Sequence, residues 1–390
     1  MLGRHMQRST QRILTTNVGS LARPHDLLDV MREKEHGRPY DHAAFATLVK
    51  TAVGDAVRRQ ADCGLDVISD GEQGKVTFLT YICERLSGFE PSTAGAMPQP
   101  SWAREVAAFP GYYQEYFKKY ESAVSPLSQV VCTGPVSYTG QAAVQQDIQN
   151  LKAALKEVNV EEAFMPATSP WGFGHNAYYP SEEEYVLAVG HALREEYRAI
   201  VDAGLILQID DPWLVELVSA DDTTTVAERR RAAAQHVDQL NAVIGDLPID
   251  RVRLHVCYGL NHGPRIHDAP MRDFVDEMLR VHASAYSFEV ANPRHQHEWR
   301  TWESVKLPAG KVLIPGFISH AMSFVEHPEL IADGIETYAR LVGRENVIAG
   351  ADCGFSSRAT YKPEVHPSVV WAKFQALAEG ARLATERLWR

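Results

Sequence analysis

Arg251-Val-Arg-Leu-His-Val-Cys-Tyr-Gly259 reads as a buried strand that carries chemistry at its far end. Side chains at i and i+2 of a strand point to the same side, so the His255 imidazole and the Cys257 thiol share one face. One rigid element thereby offers two metal-ligating groups. Working outward, the next apolar run, Tyr286-Ser-Phe-Glu-Val290, holds a single charge, Glu289, which needs a partner if it is buried. Val347-Ile-Ala-Gly-Ala-Asp-Cys-Gly354 again ends an apolar run on a thiol, Cys353. An imidazole, a carboxylate and two thiolates (His255, Glu289, Cys257 and Cys353) form a tetrahedral donor set suited to zinc.

The other apolar runs end the same way. Ile13-Leu-Thr-Thr-Asn-Val-Gly-Ser20, Leu65-Asp-Val-Ile-Ser-Asp-Gly-Glu72, Gln129-Val-Val-Cys-Thr-Gly-Pro135, Leu205-Ile-Leu-Gln-Ile-Asp-Asp-Pro212 and Lys311-Val-Leu-Ile-Pro-Gly316 finish on Gly, Pro or carboxylates. Helical patterns separate them, two opened by Ser-x-x-Glu or Thr-x-x-Glu spacing at Ser181 and Thr225. Strand followed by helix, repeated with short continuous apolar strands, predicts a parallel sheet covered by helices. Polar strand ends on one face, and no Gly-x-Gly-x-x-Gly or phosphate loop, favour a (β/α)8 TIM barrel over a doubly wound sheet. Nine strand candidates compete for eight places. Ala163-Phe-Met-Pro-Ala-Thr-Ser-Pro170, weakened by its prolines, is the one expected outside the barrel. Residues 1–12 read as a disordered or vector-derived end with Met6 a natural start, and 13–390 as one zinc-dependent barrel domain. An aromatic-rich surface insertion follows the second strand, at about 88–127.

Composition narrows the function. A formal net charge of −11 without a basic stripe argues against nucleic acid. The absence of a bilayer-length apolar run or leader predicts a cytoplasmic protein without membrane contact. Five scattered cysteines suit free thiols and metal ligation better than disulfides. Cys63, Cys83 and Cys132 read as core residues, and His295 and His297 as surface or supporting residues.

Taken in order, Asn17-Val-Gly-Ser20, Asp70-Gly-Glu72, Thr133-Gly-Pro135, Gln208-Ile-Asp-Asp-Pro212, His255-Val-Cys257, Phe288-Glu289, Pro315-Gly316 and Ala351-Asp-Cys-Gly354 resemble the catalytic barrel of cobalamin-independent methionine synthase. Gly263-Pro264 and Ala291-Asn-Pro-Arg-His-Gln-His-Glu298 look most like the short single-barrel branch, which also contains epoxyalkane:coenzyme M transferases. The resemblance implies zinc held by His255, Cys257, Glu289 and Cys353. It also implies a substrate-binding set of Gly19, Ser20, Glu72 and Asp210 for the amino-acid end of homocysteine, and a catalytic, proton-moving His320. Asp211 stands where the methionine synthases have Glu.

Zinc would act as a Lewis acid that lowers the pKa of a substrate thiol, so that a homocysteine-like thiolate attacks a methyl donor. Glu289 would loosen as the substrate sulfur enters. The long synthases carry a second barrel that helps bind folate, so a small donor, a corrinoid or a corrinoid protein is the expected partner here, with a homo-oligomer compatible. The alternative of the same chemistry is thiol addition to an epoxide. The alternative of another class is a structural zinc-binding module.

Overall fold

The computed structural model describes residues 6–92, 100–125, 130–172, 174–219, 223–259 and 262–390. Eight strands among them form one parallel sheet: β1 (Leu14–Thr15), β2 (Val67–Ile68), β3 (Glu162–Thr168), β4 (Ile206–Asp210), β5 (Val252–His255), β6 (Ala285–Glu289), β7 (Val312–Ile318) and β8 (Ile348–Ala351). Each pairs with the next in sequence, β1 pairs with β8, and a parallel bridge between Thr16 and Val67 closes the ring. This is the expected TIM barrel. Its outer layer includes the helices His42–Asp62, Gln141–Ala154, Glu182–Asp202, Val226–Ile244, Pro328–Val342 and Pro367–Leu388. Both capping residues hold: Ser181 Oγ accepts Glu184 N–H, and Thr225 with Glu228 makes the reciprocal box.

Period-2 alternation sorts the strand residues. Leu14, Val67, Phe164, Ile206, Ala285, Val312, Ile314 and Ile348 pack into a cluster of their own, whereas the intervening residues join the larger core under the helices. Above that floor the same inward rows continue as Gln208 and Asp210 on β4, Arg253, His255 and Cys257 on β5, and Ser287 and Glu289 on β6. Register sets Asp210 opposite His255, and His255 opposite Ser287.

Two strand assignments are corrected. Ala163–Pro170, expected outside, supplies β3, fully buried between β2 and β4. Of the run Gln129–Pro135, expected in the barrel, Gln129 lies outside the described residues and the rest belongs to the strand Val130–Tyr138. That strand pairs antiparallel with Leu86–Pro91 and parallel with His175–Asn176 in a separate sheet, with burial that alternates along it. The insertion is therefore longer than predicted, running from this hairpin through helices Pro100–Ala108 and Pro110–Tyr116.

Nor are residues 6–12 loose. Met6 is buried in the barrel-floor cluster, its N–H donates to Asp250 O (3.2 Å), and Ser9 Oγ donates to Val347 O (2.6 Å). Residues 1–5 lie outside the described residues. No helix among the described residues is long and apolar enough to cross a membrane.

Candidate metal and thiol site

The strand ends converge as the sequence implies. His255, Cys257 and Cys353 are all buried, and their ligand atoms lie within 4.8 Å of one another. His255 Nδ1 is hydrogen-bonded to Ser287 Oγ (3.1 Å), which leaves Nε2 buried without a partner among the described residues. A second-layer hydrogen bond of this kind commonly fixes the tautomer of a metal-binding imidazole. The contact with Cys353, and the imidazole beyond it, bring the Cys257 thiol down to about 6 despite burial, while the same contact pushes Cys353 up. One of the two sulfurs is thus predisposed to be a thiolate. A buried imidazole nitrogen, an acidic thiol and a second thiol are a donor set that fits zinc.

Glu289 departs from the expected set of four. Its Oε2 accepts Arg265 Nη1 (2.8 Å) and its Oε1 accepts Tyr258 N–H (3.3 Å). Despite burial, Arg265 and the imidazoles of His320 and His295 hold the carboxyl down at about 2. Glu289 groups with His320 and Asp352 rather than with the thiols. Asp352 is committed to backbone N–H groups of Val290, Ala291 and Asn292 (2.7–2.8 Å). Gly316 makes room for this aspartate, since a Cβ there would lie 2.4 Å from Asp352 N. His320 is buried with neither ring nitrogen partnered among the described residues, and burial drives its pKa down to about 3, so it is a neutral imidazole.

A small pocket joins the cluster to Ser20, Glu72 and Asp210. Burial pushes both carboxyls up, Asp210 to about 7. Glu72 Oε2 has no hydrogen-bond partner among the described residues, and Glu72 sits at φ 53, a left-handed conformation uncommon outside Gly. Gly19, at φ 133, lies against it: a Cβ would meet Pro166 Cγ at 2.6 Å and Glu72 Oε1 at 3.0 Å. Gly19 therefore shapes the pocket's wall from behind.

Several site residues carried no sequence signal. Arg253, an inward-facing cation on β5, donates through Nε to Gln208 Oε1 (2.8 Å). Because arginine only donates, this fixes the amide so that Gln208 Nε2 donates to Asp210 Oδ1 (2.7 Å). Arg23 donates to Glu72 O and Lys75 O, both at 2.8 Å. Asp211 points away from the pocket, to His236 Nε2 (2.7 Å) and Ser169 Oγ (3.3 Å), as strand alternation requires once Asp210 faces in. His295 is buried and stacks on Tyr258 at 4.0 Å, whereas His297 is exposed. Cys63 and Cys132 are buried and Cys83 half-buried.

The insertion seals the mouth. Ala123 bridges Thr360, Tyr112 Oη donates to His262 O (3.2 Å), and Glu105 accepts the N–H groups of Arg265 and His267. A second cavity, walled by Tyr116, His262, Arg358 and Lys362, shares Gly354 and Ser357 with the thiol pocket.

A barrel with buried thiols, an imidazole and buried carboxyls at the C-terminal ends of its strands is built as an enzyme of that fold. The family model described as cobalamin-independent synthase, catalytic domain, matches residues 170–370. The chain belongs to the cobalamin-independent methionine synthase family and is an enzyme of its methyltransferase class. It is 22% identical over 346 residues to a methionine synthase of Thermococcus kodakarensis, covering 87% of this chain and 86% of that protein. It is 23% identical over 384 residues to one of Saccharolobus islandicus, covering 96% of each. Among solved structures, a B12-independent methionine synthase from Shewanella sp., in complex with selenomethionine, superposes with a TM-score of 0.71 at 20% identity over 97% of this chain and 99% of that one. One from Listeria monocytogenes gives 0.65 at 18% identity, over 97% and 98%. Nothing in these relatives supports the corrinoid partner.

Proposed function

We propose that the protein is a zinc-dependent S-methyltransferase that transfers a methyl group to a homocysteine-like aminothiol. The observation that carries this is the junction, in one buried pocket, of the His255, Cys257 and Cys353 cluster with two buried carboxyls, Glu72 and Asp210. His255, Cys257 and Cys353 would hold zinc, with Glu289 adjacent. When bound, zinc would supply Lewis acidity that favours the thiolate form of a substrate sulfur.

The chain's own groups do the rest. Glu72 and Asp210 bind the ammonium of the substrate and so place its sulfur over the cluster. The thiol proton leaves by way of the His320 imidazole, whose two ring nitrogens without partners among the described residues let it accept on one and release on the other without resting as the cation that burial disfavours. The sulfur's electron pair forms the S–CH3 bond, the donor's bond to its methyl carbon breaks with the pair leaving on the donor, and the leaving atom takes up a proton from solvent. The adjoining cavity beside Tyr116 and Arg358 supplies room for the donor. Single-chain relatives of matching length carry the name methionine synthase, which supports methyl transfer without a second barrel. Segment 291–298, whose sequence leaned toward epoxide chemistry, is engaged in supporting contacts: Glu298 accepts Met271 N–H and His295 binds Asp268.

The test gives zinc-loaded protein homocysteine, coenzyme M or glutathione with methylcobalamin, methyl-folate or epoxypropane, and identifies products by mass. A zinc-dependent methyl thioether from homocysteine is expected. A hydroxyalkyl thioether would replace this reading with the epoxide one, and no zinc-dependent product would remove both.

A further inference from the structure

We infer that Arg253 is a positioning residue that aims the Asp210 carboxyl at the ammonium of the substrate, and that it acts through the side-chain amide of Gln208. The inference rests on the aminothiol reading above and concerns what makes the pocket prefer an amine.

Register sets Arg253 on β5 opposite Gln208 on β4, and Asp210 follows Gln208 two places along the same inward row. Arg253 and Gln208 are fully buried, and the guanidinium lies over the Phe164 ring of the barrel floor, 3.4 Å from its centroid. All three of its nitrogens donate, to Gln208 Oε1 (2.8 Å), Thr16 Oγ1 (3.1 Å) and Asn17 O (2.8 Å). Those acceptors are neutral. Burying a cation without direct contact to an anion is costly, so packing alone would favour an apolar side chain at this position. What the guanidinium supplies is donors only, and this matters because an amide can present either end to a neighbour. Arg253 takes the oxygen end of Gln208, and Nε2 donates to Val18 O (2.6 Å) and Asp210 Oδ1 (2.7 Å). With Oδ1 held, Oδ2 is the oxygen that Asp210 has left for a ligand in the pocket it lines. The same clamp steadies a second wall, since Val18 also lines the pocket and Asn17 precedes it. Without the guanidinium, Gln208 Oε1 would be buried with no donor, and the amide would gain by turning away from Asp210 to find one.

The test uses the zinc-loaded, full-length protein and two thiols that differ only in the amine, homocysteine and 4-mercaptobutanoate. Calorimetry gives a dissociation constant for each, and the ratio of the two is the readout. Arg253→Met should lower the preference for homocysteine by about tenfold, the scale of one hydrogen bond to a charged group. Gln208→Met should do the same, and the double variant should lose no more than Gln208→Met alone, because the two side chains act in series. In turnover, KM for homocysteine should rise by more than kcat falls. Arg253→Gln carries the test if Arg253→Met does not fold: its amide keeps polar groups in the layer but offers either end, and the preference should fall by a smaller factor. Equal losses for both thiols in the Arg253 variants would overturn the inference, since damage to the fold does not distinguish an amine. Losses that add in the double variant would overturn it as well. A wild type that binds the two thiols equally would overturn both this inference and the aminothiol reading. A wild-type preference that survives in the Arg253 variants would overturn this inference alone.

Discussion

Asp210 and Glu72 are the carboxyls that face the pocket, with Lys75 and Arg23 offsetting part of their charge, and their placement predicts selectivity. Glu72→Gln should raise KM for an aminothiol by more than it does for a thiol without an amine, because an isosteric amide keeps the shape and loses the charge. Equal effects on both thiols would mean that Glu72 does not read the amine. Asp210 adds a pH dependence, since burial lifts its carboxyl to about 7. KM for the aminothiol should fall as pH rises through about 7, and Asp210→Asn should flatten that profile. The stability consequence has the opposite sense. The folded chain keeps a proton that an unfolded Asp sheds near about 3.9, so this contribution is present below that value and lost as pH rises through about 7. Thermal midpoints of the metal-free protein should therefore decline across that window, and less so for Asp210→Asn. Cys257→Ser or Cys353→Ser should each remove most of the bound zinc while far-UV circular dichroism stays near normal. Full zinc in both variants by elemental analysis would refute the ligand assignment.

Among the elements, the insertion's hairpin is tied to the barrel by a buried network around Glu196 of helix Glu182–Asp202. That carboxylate accepts Arg85 Nη1 (2.9 Å), Tyr81 Oη (2.7 Å) and Tyr138 Oη (2.6 Å), and Arg85 also binds Asp147 (2.5 Å). Both tyrosines are pushed up because burial and the neighbouring Glu196 disfavour their charged forms. Arg85→Ala would strand Glu196 in the interior, and breaking such a pair from one side costs about 3–5 kcal/mol. A urea midpoint within about 1 kcal/mol of wild type would show that the network contributes little. The strand corrections belong to the same scale. In β3, Pro166 faces the barrel interior beside Gly19, and its carbonyl accepts Lys75 Nζ (2.6 Å), so a residue that speaks against a strand in isolation is accommodated by its neighbours. Pro315 occupies β7 in the same fully buried setting.

For the molecule as a whole, neither buried apolar cluster includes Cys257 or Cys353, although Cys63 and Cys132 belong to the larger one. Chelation should abolish methyl transfer and leave the fold, with activity restored by zinc. Zinc should raise the thermal midpoint only by the mass-action amount that ligand binding supplies. Collapse of the circular dichroism on chelation would indicate a structural metal. Removal of residues 1–12 should lower the midpoint, because Met6 fills the barrel floor and Ser9 ties Leu14 N–H (3.0 Å) to Val347 O.

What the sequence determined by itself was the alternation of apolar strands with helices and the polar C-terminal strand ends, whereas grouping His255, Cys257 and Cys353 with Glu72 and Asp210 rested on the resemblance to a known family. Alternation and strand ends follow from local period and from which residue types end each strand, and both survive folding unchanged. Tertiary structure alone decided which eight of the nine candidates form the barrel, because Val130–Tyr138 and Glu162–Thr168 differ in their neighbours more than in their composition. It also decided which protein cation Glu289 meets: Arg265, 24 residues away in sequence, is brought within 2.8 Å of it by a turn whose N–H groups an insertion helix accepts.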